Sequence, residues 1–149
     1  MPELDELDAK ILRSLNKDAR KSLRDIAREL GVSLTTVWNH IRKLEERQVI
    51  QGYIPLINPG LAGFSLVVII GVRIAHGKLV EVQQRIGKDP RVFAVYDVTG
   101  DWDSVCVARF HDREELNAFI KEVLSQPHVE RTNTMLVLNT IKEEKRVMV

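Results

Sequence analysis

Hydrogen-bonding side chains and cations interrupt an apolar pattern between Ser33 and Arg47. The apolar residues recur at the spacing of one helix face: Leu34, Val37, Trp38, Ile41 and Leu44. This spacing predicts an amphipathic helix that packs on a core, with Trp38 among the core residues. The opposite face carries Thr36, Asn39 and Lys43 near its centre, flanked by Thr35, His40, Arg42 and Arg47. Asn can bind adenine, Arg or Lys can bind guanine, and Thr offers a hydroxyl or a methyl group, so this face suits contact with DNA bases. Taken alone, such a face is more typical of an ordinary solvated surface helix.

The elements before this helix favour the DNA-binding interpretation. A first helix is predicted from Leu7 to Leu15, with Asp5 as its N-cap. A second helix begins after the N-cap Ser22 and ends at Gly31, which supplies a positive φ. Ser33 then caps the third helix. Two short helices joined by a Gly-containing turn form a helix-turn-helix, in which the second helix enters the DNA major groove.

The predicted contacts with double-stranded DNA follow from this arrangement. Thr35, Thr36 and Asn39 are expected to contact bases, while Arg42, Lys43 and Arg47 suit phosphates further along. His40 lies at the edge of the apolar stripe and either contacts DNA or packs. The full predicted set is Ser22, Arg24, Arg28, Ser33, Thr35, Thr36, Asn39, His40, Arg42 and Lys43. The chain carries a net charge of only +1, so the basic patch is a local feature.

Composition limits the class of protein. The 149 residues, 44% apolar and 29% charged, are ordinary for one or two small globular domains. A single cysteine, Cys106, cannot form an internal disulfide. The N-terminus is acidic and the run "LVVIIGV" is too short for a bilayer span. We therefore expect a cytoplasmic, nucleoid-associated protein without membrane contact. No cofactor or metal is expected, because the four histidines are scattered without ligand spacing.

The chain divides near residue 60, which predicts a DNA-binding domain over 1–60 and a second domain over 61–149. The segment "VIQGYIPLINP" is predicted to be a short strand leading into a linker. A quasi-repeat follows, with strands at "SLVVIIGVRI", "FAVYDVTG", "DSVCVARF" and "ERTNTMLVLNTI" and helices at 78–86 and 113–124. The order βαββαβ is that of a ferredoxin-like sandwich. The predicted fold class is α+β, with a winged-type helix-turn-helix before this sandwich.

The first strand of the sandwich is apolar on both faces. Leu66, Val68, Ile70 and Val72 alternate with Val67, Ile69 and Gly71. Two helices cover only one face of a four-stranded sheet, and an uncovered face normally carries polar residues. We therefore expect a second copy to cover the other face, which makes a homodimer with two helix-turn-helix units. Such a dimer suits DNA half-sites about one helical turn apart.

Nearly the whole chain resembles a known family. The segment "LDELDAKILRSLNKDARKSLRDIARELGVSLTTVWNHIRKLEERQVIQGY" is similar to the N-terminal domain of the leucine-responsive regulatory protein and AsnC (Lrp/AsnC) transcription regulators. The second half resembles their ligand-sensing domain, which carries a Gly-Asp-(aromatic)-Asp turn, here Gly100 to Asp103. Gln48 departs from the Gly usual after the third helix. Because a non-Gly residue at φ > 0 costs on the order of 1 kcal/mol, we expect this helix end to be built differently.

The resemblance implies a prokaryotic regulator whose dimers assemble into tetramers or octamers. It also implies a small effector, commonly an amino acid, bound between dimers near this turn. The predicted effector residues are Thr99, Gly100, Asp101, Asp103, Thr132 and Thr134. Close carboxylates and free turn backbone can hold an ammonium and a carboxylate together. We expect Asp103 to be an exposed turn residue and Trp102 an interface residue, although "TGDWD" is also an ordinary hairpin turn.

Two other functions fit parts of the pattern. An effector-independent architectural protein would wrap DNA as an octamer with little sequence preference. The tetrapyrrole-processing sirohaem decarboxylases resemble the same two-domain architecture, and would make the chain an enzyme. No nucleophile motif, phosphate loop or metal-ligand spacing accompanies the histidines. The sequence therefore favours a sequence-specific DNA-binding transcription regulator that is not an enzyme.

Overall fold

The structure, a computed structural model, describes residues 4–149. It consists of two compact units, one of Met1–Leu56 with Glu143–Val149 and one of Ile57–Lys142. The end of the chain thus belongs with the helical unit rather than with the sandwich. Hydrogen bonds attach it to the first helix. Arg13 Nε donates to the Val149 carbonyl at 2.7 Å, and Asn16 Nδ2 donates to the Val147 carbonyl at 2.9 Å.

Three helices form the first unit, and their predicted caps are confirmed. They are α1 (Glu6–Lys17), α2 (Leu23–Leu30) and α3 (Leu34–Glu46). Asp5 and Asp8 form a capping box at the start of α1. Ser22 and Ser33 cap α2 and α3, and Gly31 ends α2 at φ 67°. The common core is a small cluster of buried apolar side chains: Ile11, Ile26, Ala27, Val37 and Ile41.

The end of α3 retains a left-handed residue although no glycine is present. Gln48 adopts φ 56°, so the expectation of a differently built helix end is wrong. The carbonyls of the last turn are satisfied, because Gln48 N–H donates to Glu45 O at 2.9 Å and Val49 N–H to Leu44 O at 2.8 Å. The side chain of Gln48 adds a bond from Nε2 to Glu45 O at 3.1 Å. These bonds offset the backbone strain of a non-Gly residue.

The segment after α3 is not a strand, so that prediction is wrong. Residues 51–58 form no regular structure, and Ile54 is 75% exposed. A strand requires a neighbour for its backbone groups, and none of the described strands pairs with this segment. Tyr53 ties it to α3 by donating to Glu45 Oε1 at 3.0 Å. Partial burial, reinforced by Glu45, raises the pKa of Tyr53 to about 12.

The second unit has the predicted βαββαβ order. Its elements are β1 (Leu66–Ile74), α4 (Leu79–Ile86), β2 (Val92–Asp97), β3 (Ser104–Phe110), α5 (Arg113–Ser125) and β4 (Val129–Leu136). The four strands pair antiparallel in the order β2-β3-β1-β4. Both helices contribute to one core with β1 and β3. Cys106 lies in that core, where burial raises the pKa of its thiol to about 11. The thiol is therefore protonated and unreactive at neutral pH.

The two faces of β1 differ in how they are covered. Val68, Ile70 and Val72 are fully buried in the core with α4 and α5. On the other face, called here the open face, Val67 and Ile69 are only half-buried. Gly71 is buried because Trp102 packs against it. Among the described residues, no helix is both long and apolar enough to cross a membrane.

Candidate DNA-binding face and effector turn

The helix α3 separates its apolar and polar residues onto opposite sides. Val37 and Leu44 are completely buried. Thr35, Asn39 and Lys43 are exposed on the other side, which is called here the outer face of α3. The separation follows from the helical period, since residues four apart lie on the same face. The outer face is therefore free to contact a partner.

The hydroxyl groups at the two helix starts already serve as caps. Ser33 Oγ accepts from Thr36 N at 3.0 Å and lies 2.8 Å from Thr36 Oγ1. Ser22 Oγ accepts from Asp25 N at 3.1 Å and donates to Asp25 Oδ2 at 2.6 Å. A contact from Ser22 or Ser33 to DNA must therefore share a hydroxyl that stabilises the helix. Among the predicted base readers, Thr35 and Asn39 make no side-chain hydrogen bond with the described residues.

The cations of the patch differ in their partners. Arg24 and Lys43 are exposed and form no ion pair within residues 4–149. Arg28 Nη1 lies 3.3 Å from Asp25 Oδ1. Arg42 Nε donates to Glu46 Oε1 at 2.8 Å. Because such exposed pairs are weak, their cations remain able to exchange a carboxylate for a phosphate.

Trp38 does not belong to the core, so that prediction is wrong. Trp38 is 47% exposed, and Leu34, one turn before it, is also exposed. Trp38 follows Val37 directly and is therefore rotated about 100° away from the centre of the buried face. The Arg42 guanidinium carbon lies 5.3 Å from the centre of the Trp38 ring. The pair flanks the outer face of α3.

His40 is directed toward α1. Its Nδ1 lies 2.8 Å from Oδ1 of Asp8, which is only 5% exposed, and 3.9 Å from Asp5 Oδ2. The ligand-type atoms of these three residues lie within 4.8 Å of one another, a proximity that the sequence spacing did not indicate. The hydrogen bond and the capping box explain the cluster, and the positive end of the α1 dipole favours its carboxylates. Nδ1 of His40 is therefore engaged within the unit, although a DNA contact by the rest of the ring stays a prediction.

The turn between β2 and β3 places its two aspartates in different roles. Asp103 Oδ2 accepts from the Ile74 N–H at 2.8 Å and lies 3.7 Å from Arg73 Nε. The expectation that Asp103 is an exposed turn carboxylate is therefore wrong, because its side chain holds the end of β1. Asp101 is exposed, and its carboxylate has no hydrogen bond or ion pair with the described residues. Thr99 and Gly100, which has φ 111°, are exposed beside it.

The two threonines of β4 face away from the Trp102 side of the sheet. Thr132 pairs with Val72 and Thr134 with Ile70, whose side chains lie on the helix-covered face. Cross-strand partners point to the same face of a sheet. The hydroxyls therefore do not face Trp102, and the six predicted effector residues are not brought together on one face.

Two arginines near the turn were missed by the sequence interpretation. Arg73 Nη1 donates to the Asp101 carbonyl at 2.9 Å. Arg131 pairs with Arg73 across the strands, and its guanidinium carbon lies 4.8 Å from the centre of the Trp102 ring. Successive side chains of a strand point to opposite faces of the sheet, so Arg131 lies on the face opposite to Thr132. This alternation was visible in the sequence. The turn thus combines a free carboxylate, exposed backbone and nearby cations.

Comparison with known proteins gives these two regions their context. A winged helix-turn-helix DNA-binding model matches residues 4–51, and a model of the Lrp/AsnC ligand binding domain matches residues 67–147. The chain belongs to the Lrp/AsnC family. It is an Lrp/AsnC-type helix-turn-helix transcription regulator. The α+β architecture and the recognition of this family from the sequence are confirmed.

Archaeal relatives match over almost their full length. An HTH-type transcriptional regulator of Pyrococcus abyssi is 47% identical over 144 residues, which cover 97% of this Lrp/AsnC chain and 98% of that protein. The regulator FL11 of Pyrococcus horikoshii is 41% identical over 140 residues, covering 94% and 93%. Ptr1 of Methanocaldococcus jannaschii is 39% identical over 145 residues, covering 97% and 98%. These relatives are transcriptional regulators.

Solved structures of transcriptional regulators share the fold. An AsnC family regulator from Agrobacterium tumefaciens has a TM-score of 0.88 at 26% identity, covering 96% of this chain and 95% of that chain. A regulator from Neisseria meningitidis, in complex with L-Met, has a TM-score of 0.88 at 24% identity, covering 97% and 96%. At 24% identity, the similarity to the Neisseria meningitidis structure shows only a shared fold.

Proposed function

We propose that the outer face of α3 reads a specific DNA sequence in the major groove. The observation that carries this proposal is the exposure of Thr35, Asn39 and Lys43 opposite a fully buried Val37 and Leu44. In a helix-turn-helix the N-terminal half of this helix approaches the bases. Asn39 has a free amide, which can bind adenine through two hydrogen bonds.

Cations around the outer face supply the phosphate contacts. Arg24 and Lys43 are free of acidic partners within the described residues, and Arg28 and Arg42 have only exposed ones. The remaining polar residues of α2 and α3 contribute hydrogen bonds to the DNA backbone. Their side-chain hydroxyls and the backbone N–H groups at the two helix starts are the donors. This division assigns base recognition to the N-terminal half of the outer face, and affinity to the cations further along α3 and on α2.

Salt dependence of DNA binding tests the phosphate contacts. Because each neutralised phosphate contributes about 0.9 to the slope of log K against log salt, Lys43→Ala should reduce that slope by about 0.9 on any duplex. Fluorescence anisotropy with a labelled random duplex gives the slope. Lys121→Ala, an exposed lysine on α5, is the matched control and should leave it unchanged. Equal slopes for Lys43→Ala and the unmodified protein would remove Lys43 from the interface.

A second copy of the chain covers the open face of the sheet in this proposal. Val105 and Val107 are half-buried there, Tyr96 and Met135 are exposed, and all four lie on the side of Ile69. An exposed apolar sheet face is an expected contact site, and a twofold dimer would place two α3 helices on one DNA molecule. Further assembly of dimers gives tetramers or octamers.

Light scattering tests the dimer. The unmodified protein should be a dimer or larger, and Val107→Lys should dissociate it, because a buried ammonium at the contact lacks a partner. Val80→Lys, on the exposed side of α4, serves as the control. A monomeric unmodified protein would contradict the covered open face.

A small effector, most simply an amino acid, binds near the β2–β3 turn and modulates DNA binding. The free Asp101 carboxylate suits an α-ammonium, and the turn N–H groups or Arg131 suit an α-carboxylate. The match to a ligand-binding domain and the L-Met complex of a protein with the same fold support this class of effector. Asp103 takes a structural role here rather than a binding one.

Thermal unfolding with each amino acid tests the effector site. At a hundredfold excess over Kd, binding to the folded state stabilises it by about 2.7 kcal/mol. One or a few amino acids should therefore raise the unfolding temperature, and Asp101→Asn should remove the response. Glu114→Gln, an exposed change on α5, should retain it. A complete lack of response would favour the effector-independent architectural function.

A further inference from the structure

One arginine of α3 lies between an aromatic ring and a carboxylate. The guanidinium carbon of Arg42 is 5.3 Å from the centre of the Trp38 ring. On its other side, Nε donates to Glu46 Oε1 at 2.8 Å. The Arg42 and Glu46 side chains are 61% and 60% exposed, so both contacts are made at the surface.

The helical spacing fixes the order of these three residues. Trp38, Arg42 and Glu46 are each four residues apart, and therefore form one line along α3. Trp38 is nearer the N-terminal half, which approaches DNA in a helix-turn-helix, and Glu46 is the last residue of the helix. In the structure Arg42 therefore contacts one neighbour in the N-terminal half of the helix and one at its last residue.

The two neighbours act on Arg42 in opposite ways. A guanidinium stacked on an aromatic face keeps its N–H groups in the plane of the group, where they remain free to bind an anion. Glu46 occupies one of those N–H groups and neutralises the charge. Stacking on Trp38 thus leaves Arg42 available to a phosphate, whereas pairing with Glu46 competes with it.

We propose that Trp38 is a positioning residue that holds the Arg42 guanidinium for a DNA phosphate, and that Glu46 competes with that phosphate. This inference rests on the proposed DNA-binding face of α3. It explains why a large aromatic side chain is exposed on α3. It also predicts that removal of an acidic residue from α3 strengthens DNA binding beyond the effect of net charge alone.

A labelled duplex of random sequence, roughly three helical turns long, is the probe, since phosphate contacts do not depend on sequence. Trp38→Leu should weaken binding about two- to fivefold, the range expected for an exposed cation–π contact. Trp38→Phe should keep most of the affinity because it retains an aromatic face. In an Arg42→Ala background, Trp38→Leu should have no further effect. This dependence on Arg42 separates positioning from a structural role of Trp38.

Glu46→Gln tests the competition. It should tighten binding by up to about fivefold, the range of an exposed ion pair. The control is Glu81→Gln, which removes the same charge from a similarly spaced pair on α4, where Arg85 Nη2 lies 2.7 Å from Glu81 Oε1. Equal tightening by both variants, or none by Glu46→Gln, would contradict the competition.

Three results would overturn the positioning role. They are an unchanged affinity in Trp38→Leu, an equal loss in Trp38→Phe, and a loss in Trp38→Leu that persists in the Arg42→Ala background. The last result would mean that Trp38 contacts DNA itself or supports the fold. An Arg42→Ala variant with unchanged DNA binding would instead contradict the part of the proposed interface that contains Arg42.

Discussion

The outer face of α3 and the β2–β3 turn use their polar side chains differently. On α3, Thr35, Asn39 and Lys43 are exposed, and the helix is held by buried residues on its other side. In the turn, the Asp103 carboxylate accepts from the backbone of β1, while the carboxylate of Asp101, two residues earlier, has no hydrogen bond or ion pair with residues 4–149. A helix can therefore present a complete row of polar groups, whereas a tight turn uses some of its polar groups to keep its own shape.

The two sites should therefore respond differently to substitution. Substitutions on the outer face of α3 should change binding without changing stability, since nothing in the unit depends on those side chains. Substitutions in the turn should separate into those that unfold it and those that leave it intact. Equal responses at the two sites would contradict this distinction, and the effect on stability is expected to be largest at Gly71, against which Trp102 of the turn packs.

Gly71→Val should destabilise the sandwich unit by about 3 kcal/mol, at the upper end of overpacking costs. A Cβ atom at Gly71 would lie 2.6 Å from Trp102 Cδ2, so the indole and the turn that carries it must move. Urea unfolding followed by circular dichroism measures the change. Gly52→Ala is the control, because a Cβ atom there meets nothing within 4 Å. A stability change within about 0.5 kcal/mol for Gly71→Val would show that Trp102 does not pin the turn.

Asp103→Ala should cost about 2 kcal/mol, because it leaves the Ile74 N–H without its acceptor in a part-buried position. Asp101→Ala should change stability by less than about 0.5 kcal/mol, as expected for an exposed carboxylate that makes no hydrogen bond or ion pair with the described residues. The comparison uses the same unfolding measurement on both variants. An equal loss of unfolding free energy in the two variants would mean that Asp103 stabilises the turn no more than Asp101 does.

Gln48→Gly should stabilise the helical unit by about 1 kcal/mol or less. Relief of the strain at φ 56° contributes about 1–2 kcal/mol, and the greater flexibility of glycine in the unfolded chain removes about 0.5–1 kcal/mol of it. Thermal unfolding should show a raised midpoint. Gln51→Gly, at an exposed position without a positive φ, should show none. A lowered midpoint for Gln48→Gly would show that the side-chain bond to Glu45 O outweighs the strain.

Local signals in the sequence predicted the helices well. Caps such as Ser22 and Ser33 act within four residues, so their effect does not depend on the rest of the fold. The βαββαβ order was also predictable, because each strand and helix has its own apolar period. Trp38 was wrongly predicted to be a core residue. The helical spacing of apolar residues identifies the centre of a buried face better than it identifies the edge, where Trp38 lies.

Features that depend on distant partners could not be predicted from the sequence. The segment 51–58 has strand-forming residues but lacks a neighbouring strand among those described. Asp103 bonds to a residue 29 positions away, and no local pattern indicates that contact. The face of the sheet on which Thr132 lies depends on the register between β1 and β4. Only the assembled sheet defines that register.

If the outer face of α3 reads base sequence, Asn39→Ala should affect binding to two duplexes differently. One duplex is selected by the unmodified protein from a random library, and the other is random. Because the side chain of Asn39 makes no hydrogen bond with the described residues, the substitution should leave stability unchanged. Affinity for the selected duplex should fall by about 1–3 kcal/mol, the value of a bidentate base contact, with little change on the random duplex. An equal loss on both duplexes, or no loss on either, would contradict base recognition by this face.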